Sequence, residues 1–164
     1  GLMRLWYLVI YVLNALALVV LAVALSERIG AAAAGLGKLV LAFGLVWATL
    51  VLGAGMMVNV GLGQVLAAHV TDPAEAARIW QVTELVEAGI GGGNEVAGGA
   101  WALVLGLATL ATGRLPRLLG LFALVIGVAG LSTIVPPLSE PGGAVFGLGF
   151  IAWFAWAGVA LLRG

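Results

Sequence analysis

A glycine cluster that carries an amide and a carboxylate has the clearest chemical potential in this sequence. The stretch reads GIGGGNEVAGGAW and runs from Gly89 to Trp101. Asn94 and Glu95 follow directly on the glycines, and glycines let a ligand or another backbone approach closely. We therefore expect a ligand-binding pocket at Asn94 and Glu95, with Trp101 among its residues.

Two further carboxylates and the single histidine are the other candidate ligand-binding residues. Glu84 and Glu87 are three residues apart, which places both on one face of a helix where they can meet a cation. Trp80 lies one turn earlier on the same helix. If the chain folds back before this helix, His69 could converge with both carboxylates and with Glu95. The H-E-x-x-H and H-x-x-E-H metal signatures are absent, so no metal site is predicted.

Each candidate also has a simpler structural explanation. Free backbone N–H groups and the helix dipole favour carboxylates in the first turn of a helix. Asn94 would then be an N-cap and Glu95 a first-turn residue, while Glu84 and Glu87 would form a solvated helix face. With one histidine, no cysteine and no legible Ser/His/acid set, the sequence predicts no catalytic residues and leaves any cofactor unknown.

The composition indicates that these residues belong to a membrane protein. Of the 164 residues, 63% are hydrophobic and 9% are charged, whereas soluble domains carry about 25% charged residues. So little polar surface cannot cover a water-soluble globule, and most of the outer surface must face the lipid bilayer. The formal net charge is zero and there is no basic run, which argues against nucleic acid as a partner.

Apolar runs of about 20 residues predict helices that cross the bilayer. We predict an all-α integral membrane protein with a single domain over residues 1–164. Its bundle has five transmembrane helices and one short amphipathic helix between the second and the third. The predicted spans are Leu2–Leu25, Lys38–Val58, Glu95–Ala111, Leu118–Val135 and Ala144–Leu162, and the amphipathic helix is Pro73–Ile90. The segment Pro73–Ile90 could equally be the first half of a spanning helix that is broken at the glycines.

Local signals predict where these helices begin and end. Asp72 followed by Pro73 is typical of a capped helix start. Gly113 is expected to close the third span. The glycines within residues 53–63 offer places for the second helix to bend or stop, so we expect a span to about Val58 and an outward extension that carries Gln64 and His69. The glycines within residues 89–93 are expected to separate the amphipathic helix from the third span.

The distribution of basic residues predicts the orientation in the membrane. With five spans, one side of the membrane holds five basic residues and the other side holds Arg4 and Arg78. The positive-inside rule places the larger group, and with it the C-terminus, in the cytoplasm of a bacterial cell. An outside N-terminus without a signal peptide is awkward, and a further span upstream would remove the difficulty. The larger group is Arg28, Lys38, Arg114, Arg117 and Arg163.

Two segments carry a resemblance to a known family. GRLPRLLGLFALVIGVAGL, from Gly113, and the last helix, FGLGFIAWFAWAGVALLR, resemble a family of polytopic bacterial membrane proteins described only as a domain of unknown function. The likeness is strongest over residues 95–163. Members typically have about six helices, so the resemblance implies that one N-terminal helix is missing here. It implies no activity.

Three classes of function remain open at this point. The first is an accessory or structural subunit of a membrane assembly. Such a subunit would meet a protein partner or a second copy through small-residue helix faces. The row Gly98, Ala102 and Gly106 is expected to be a face of close contact between helices. The alternative is a binder or transporter of a small amphipathic or cationic ligand through an outward-facing pocket at Asn94 and Glu95. The third is a membrane enzyme that uses His69 and the carboxylates.

Overall fold

The computed structural model describes residues 2–162, with residues 91–93 described by their backbone alone. Over these residues the chain is helical and contains no strand, which confirms the all-α prediction. A π-helical segment, Leu8–Leu13, lies within the first helix, and a 3₁₀ turn, Pro136–Leu138, precedes the last. The five helices are α1 (Leu2–Gly30), α2 (Ala34–His69), α3 (Pro73–Thr112), α4 (Arg117–Ser132) and α5 (Ser139–Leu162).

Four of these helices are long and apolar enough to cross a membrane: α1, α2, α3, and α5 together with its 3₁₀ turn. The fourth predicted span is shorter than expected, because α4 has 16 residues and ends at Ser132. Its length is about 24 Å, against about 30 Å for the hydrocarbon core. The cause is Pro136, since a residue before proline avoids the helical region and Val135 is extended. Arg163, predicted to follow the last span, lies outside the described residues.

The predicted separate amphipathic helix at Pro73–Ile90 is wrong, because α3 is one continuous helix of 40 residues. Its predicted ends are confirmed. Asp72 Oδ1 accepts the backbone N–H groups of residues 74 and 75 at 2.9 and 3.1 Å, and Gly113 has a left-handed φ of 64°. The glycines within residues 89–93 do not break the helix. A glycine in a helix interior costs about 1 kcal/mol, whereas each backbone group left unpaired in lipid costs several.

The second helix is also continuous: it runs through the predicted span and its predicted extension to His69 without a break at the glycines. α2 has 36 residues, and its interior glycines mark close contacts instead of breaks. A side chain at Gly55 would collide with Tyr11, and one at Gly61 would lie 2.5 Å from Thr83. These glycines therefore let α1 and α3 approach the backbone of α2.

Unequal helix lengths divide the bundle into two parts. Gly130, near the end of α4, lies against the carbonyl oxygen of Glu95, so α4 covers only the later part of α3. We call residues 2–13 and 55–94 the three-helix end, and the remainder the five-helix end. At the five-helix end, Arg28 Nε donates a hydrogen bond to the Arg114 carbonyl at 3.0 Å. The connections α1–α2 and α3–α4 therefore lie together, as five alternating spans require.

An aromatic cluster fills the core of the five-helix end. Its ring centroids lie 4.7 Å apart for Trp47 and Phe150, 5.4 Å for Trp47 and Trp101, and 6.0 Å for Trp101 and Trp153. Two of the indoles also bond to helix backbone. Trp101 Nε1 donates to the carbonyl of residue 40 at 2.9 Å, and Trp153 Nε1 to that of residue 119 at 3.0 Å. The cluster therefore ties α3 to α2 and α5 to α4.

Helices α3 and α4 cross with their backbones in close contact. A Cβ atom at Gly99 would lie 2.9 Å from the Gly127 carbonyl oxygen, and one at Gly106 would lie 2.8 Å from the Gly120 carbonyl oxygen. Contacts of this kind drive helix association in lipid, where apolar burial alone gives little preference. The predicted contact role of Gly98, Ala102 and Gly106 holds only in part, because Gly98 instead meets Trp47 and Phe146.

The crossing leads to a test with a matched control. We expect Gly99→Ala to destabilise the protein by about 1–3 kcal/mol, because the added methyl meets backbone that cannot move aside. Gly147→Ala adds the same methyl to α5, where nothing lies within 4 Å, and should be neutral or stabilising by up to about 1 kcal/mol. Thermal unfolding of both variants in detergent micelles checks this. Equal stability of the two variants would contradict the crossing.

Candidate functional site

At the three-helix end, a hydrogen bond between two side chains joins α1 to α3. The Tyr11 hydroxyl donates to Glu87 Oε1 at 3.0 Å. Gly55 of α2 provides the room for this tyrosine. A hydrogen bond to a charged acceptor is stronger than one between neutral groups, so this contact fixes the position of one oxygen of the Glu87 carboxylate.

A cavity of about 100 Å³ lies beside this hydrogen bond. Three aromatic rings line it, Tyr7 and Tyr11 from α1 and Trp80 from α3, together with the carboxylates of Glu84 and Glu87. Val58 and Thr83 complete the wall. The cavity therefore combines three aromatic residues with the half-buried Glu87 and the exposed Glu84, in a space that accepts only a small group.

The charge of this cavity is negative and is not balanced by a basic side chain. Within residues 2–162 the only salt bridge joins Arg78 to Glu75 at 3.0 Å, so neither Glu84 nor Glu87 is paired. Aromatic faces attract cations through the negative potential of their π-systems. Rings and carboxylates thus favour the same kind of ligand, a cation.

Asn94 and Glu95, the residues of the predicted pocket, do not lie at the start of a helix. Both residues lie in the interior of α3, so the proposed N-cap role of Asn94 is wrong; the cap of this helix is Asp72. Both are half-buried, and Asn94 Oδ1 is enclosed without a hydrogen-bond partner among the described residues. Glu95 follows Glu87 by about two helical turns.

His69 does not join the carboxylates. It is the last residue of α2 and is exposed. Among the described residues, no group of three histidine, cysteine, aspartate or glutamate side chains could hold a metal ion. Of the four residues predicted to converge, Glu84 and Glu87 line the 100 Å³ cavity, while His69 lies at the far end of α2.

Trp101, which was predicted to bind the ligand, does not line the 100 Å³ cavity. Its side chain is 0% exposed and its indole N–H is bonded to the carbonyl of Val40. A Cβ atom at Gly44 would lie 2.9 Å from Trp101 Nε1, so the missing side chain is what allows this approach. Trp101 is a structural residue of the core.

A second concave surface lies on the other side of the contact between Gly61 and Thr83. This groove between α2 and α3 has a volume of about 670 Å³. Its lining is mostly apolar, and Gln64, Glu75 and Arg78 supply its polar atoms. Its apolar residues include Met56, Met57, Val60, Ile79, Val82 and Val86. Such a groove fits alkyl groups or an apolar helix, not the head of a cation.

The sequence held part of the signal for the 100 Å³ cavity. Trp80, Glu84 and Glu87 recur at helical spacing and were expected on one face. Tyr7 and Tyr11 are also one helical turn apart, near the start of the first predicted span. Aromatic residues at that place are typical of the membrane interface, so they did not indicate a binding site. Their meeting with Glu87 depends on how α1 is aligned against α3, which helical spacing within one segment does not encode.

Comparison of the chain with protein-family models, with curated proteins and with solved structures found no match. The resemblance to a bacterial family of polytopic membrane proteins therefore stays a prediction. The assignment of a function rests on the residues of the cavity.

The Tyr11–Glu87 contact can be tested by a double-mutant cycle. We expect Tyr11→Phe and Glu87→Gln to be coupled by about 0.6–1.7 kcal/mol, the range measured for side-chain hydrogen bonds between membrane helices. Chemical unfolding in micelles measures the free energies. Tyr7→Phe is the control, because Tyr7 lies one turn earlier without a described hydrogen bond to Glu87; its cycle with Glu87→Gln should be additive. Additivity in both cycles would rule out the contact.

Proposed function

We propose that this chain is a multi-pass membrane protein that binds the headgroup of a small amphipathic cation at its three-helix end. The observation that carries this proposal is the cavity in which Glu84 and Glu87 face Tyr7, Tyr11 and Trp80 without a basic partner in the described residues. Quaternary and primary ammonium groups are recognised by aromatic faces together with carboxylates. The proposed site lies about two turns before Glu95, nearer the start of α3.

The volume of the cavity limits the ligand. Pockets for drug-sized ligands measure about 300–1,000 Å³, whereas this cavity measures about 100 Å³. It therefore accepts an ammonium headgroup with small substituents, and a longer alkyl part of the ligand would extend into the surrounding lipid. This division into a charged head and an apolar remainder is why we infer an amphipathic cation.

The hydrogen bond from Tyr11 prepares the carboxylate for this ligand. A carboxylate has two oxygens that accept hydrogen bonds, and Tyr11 occupies Oε1 of Glu87. Oε2 remains for the cation, while the bond to Oε1 limits rotation of the side chain. A carboxylate that is held in place before binding loses less conformational freedom when the ligand arrives.

The proposal includes the orientation predicted from the sequence. Five crossings of a bacterial cytoplasmic membrane would place the C-terminus in the cytoplasm and the cavity on the outer side. The bond between Arg28 and Arg114 supports this arrangement by holding two basic connections at one end. The short helix α4 can cross as part of the bundle, since the bilayer thins around short spans at modest cost.

An accessory subunit of a membrane assembly is the second candidate function. The 670 Å³ groove between α2 and α3 favours it, because methionines are flexible enough to adapt to a partner's side chains. An apolar helix of a partner protein, or of a second copy, would cover Met56, Met57 and Val60. Purification with a partner in fixed stoichiometry, and no response to cations, would favour this candidate.

Cation binding is tested with choline and its neutral isostere 3,3-dimethylbutan-1-ol. We expect choline to raise the unfolding temperature of the protein in a non-ionic detergent, since a ligand that binds only the folded state stabilises it. The neutral alcohol has the same shape without the charge and should have little effect. Glu87→Gln should weaken choline binding about tenfold, or about 1.4 kcal/mol, by isothermal titration calorimetry.

The control for this experiment is Glu140→Gln. Glu140 is an exposed carboxylate in the first turn of α5 and does not line the cavity, so its loss should leave choline binding unchanged. Equal effects of choline and the alcohol, or equal affinities of the wild type and Glu87→Gln, would refute the proposed site.

The orientation is tested by labelling single cysteines, because the native chain has none. Ala74 at the start of α3 and Ala32 in the α1–α2 connection are both exposed. An impermeant maleimide should label Ala74→Cys in intact cells and Ala32→Cys only after permeabilisation. The reverse pattern would place the cavity in the cytoplasm.

A further inference from the structure

Two buried polar atoms of the bundle lack a hydrogen-bond partner among the described residues: Trp47 Nε1 and Asn94 Oδ1. The first can only donate a hydrogen bond and the second can only accept one. The Trp47 side chain is 5% exposed, so the bulk solvent does not satisfy its N–H group. A buried polar group without a partner calls for an explanation, and an ordered water is a common one.

The other two buried indoles of the core show that this situation is particular to Trp47. Trp101 and Trp153 are 0% and 1% exposed, and each donates its N–H group to a helix carbonyl. The three indoles belong to one aromatic cluster. The indole N–H groups of Trp101 and Trp153 therefore have backbone acceptors, whereas that of Trp47 has no acceptor among the described residues.

Trp47 points to the turn of α3 that carries Asn94. Its Nε1 would lie 2.8 Å from a Cβ atom at Gly98, and Asn94 precedes Gly98 by four residues on the same helix face. Positions four apart on a helix have Cβ atoms about 5–6 Å apart. Trp47 Nε1 therefore lies within about one helical turn of the Asn94 side chain. A Cβ atom at Gly98 would also lie 2.5 Å from Phe146 Cζ, so the two rings fill the place of the missing side chain.

We propose that a water molecule binds between Trp47 Nε1 and Asn94 Oδ1, beside the point where the indole packs onto Gly98. The water accepts a hydrogen bond from the indole and donates one to the amide oxygen, so both buried atoms gain a partner. Buried waters typically join polar groups that lack protein partners in this way. The site uses neither Glu84 nor Glu87, so it is independent of cation binding.

This water would lie at the boundary between the polar face of α3 and the aromatic cluster. Glu87 and Asn94 are seven residues apart and lie on one face of α3, so the polar face of the three-helix end continues to this water. Beyond it, Trp47 packs against Phe146 and Phe150 at centroid distances of 5.9 and 4.7 Å. The polar face of α3 therefore ends at the aromatic cluster.

The test uses protein in lipid nanodiscs with ¹⁵N-labelled indoles. In NMR spectra, the Trp47 N–H should show a cross-peak to water and exchange with D₂O at least tenfold faster than those of Trp101 and Trp153. Trp47→Phe assigns the signal by removing it. Asn94→Leu removes the acceptor and should abolish the water cross-peak of Trp47.

A second measurement keeps the proposal testable if Asn94→Leu does not fold. Hydroxyl radicals generated by X-ray pulses modify side chains next to bound water, and in the wild type they should modify Trp47 more than Trp101 and Trp153. Equal modification of the three indoles, or exchange of Trp47 as slow as that of Trp101, would overturn the proposal. So would a Trp47 N–H that is protected in the wild type and becomes exposed in Asn94→Leu, since that result indicates a direct bond to Asn94.

Discussion

The hydrogen bond from Trp101 to the carbonyl of Val40 is the contact on which the arrangement of the bundle depends. In lipid, apolar side chains are as well accommodated outside the bundle as inside it, so apolar burial cannot choose among helix arrangements. The hydrogen bond from an indole N–H to one particular carbonyl does select an arrangement. If one helix shifted by one residue along the other, the N–H group would lose its acceptor. Gly44 makes this possible by exposing the backbone of α2 to Trp101. The bond from Trp153 to α4 follows the same logic, with the small residue Ala123 one turn after the accepting carbonyl of Leu119.

Local chemistry predicted the ends of α3 but not its continuity. Asp72 with Pro73, and Gly113 with its left-handed backbone, act within a few residues and can be read directly from the sequence. The same local reasoning predicted that the glycines of residues 89–93 interrupt the helix, and that prediction was wrong. Whether a glycine ends a helix depends on what surrounds it. In lipid the backbone has no alternative hydrogen-bond partner, and intrahelical bonds are retained. Glycines such as Gly55 and Gly61 serve instead as points of close approach.

Only part of the candidate site was predicted, because helical spacing shows which residues share a face of one helix but not which residues of another helix meet them. The periodicity of α3 placed Trp80, Glu84 and Glu87 on one face, and the structure brings these three residues to one cavity. The contribution of Tyr11 was missed because it requires the alignment of α1 with α3, which tertiary contacts set. Trp101 was assigned to the ligand by its nearness in sequence to Glu95. Helix geometry turns its side chain towards α2, where a carbonyl and other rings surround it.

The difference in length between α3 and α4 explains why polar residues are tolerated where they are. A carboxylate inside a membrane protein must be paired, reached by water or bound to a ligand. At the five-helix end, rings and backbone contacts occupy the interior of the bundle, and no such carboxylate is present among its buried residues. The Gly130 contact shows that α4 ends beside Glu95, and the polar face of α3 extends from that level to Glu84. Glu84 is exposed and Glu87 is half-buried, so neither carboxylate at this end is enclosed by apolar side chains. The cavity beside them is lined by residues of α1, α2 and α3, and both carboxylates lie on the part of α3 that precedes its contact with the end of α4.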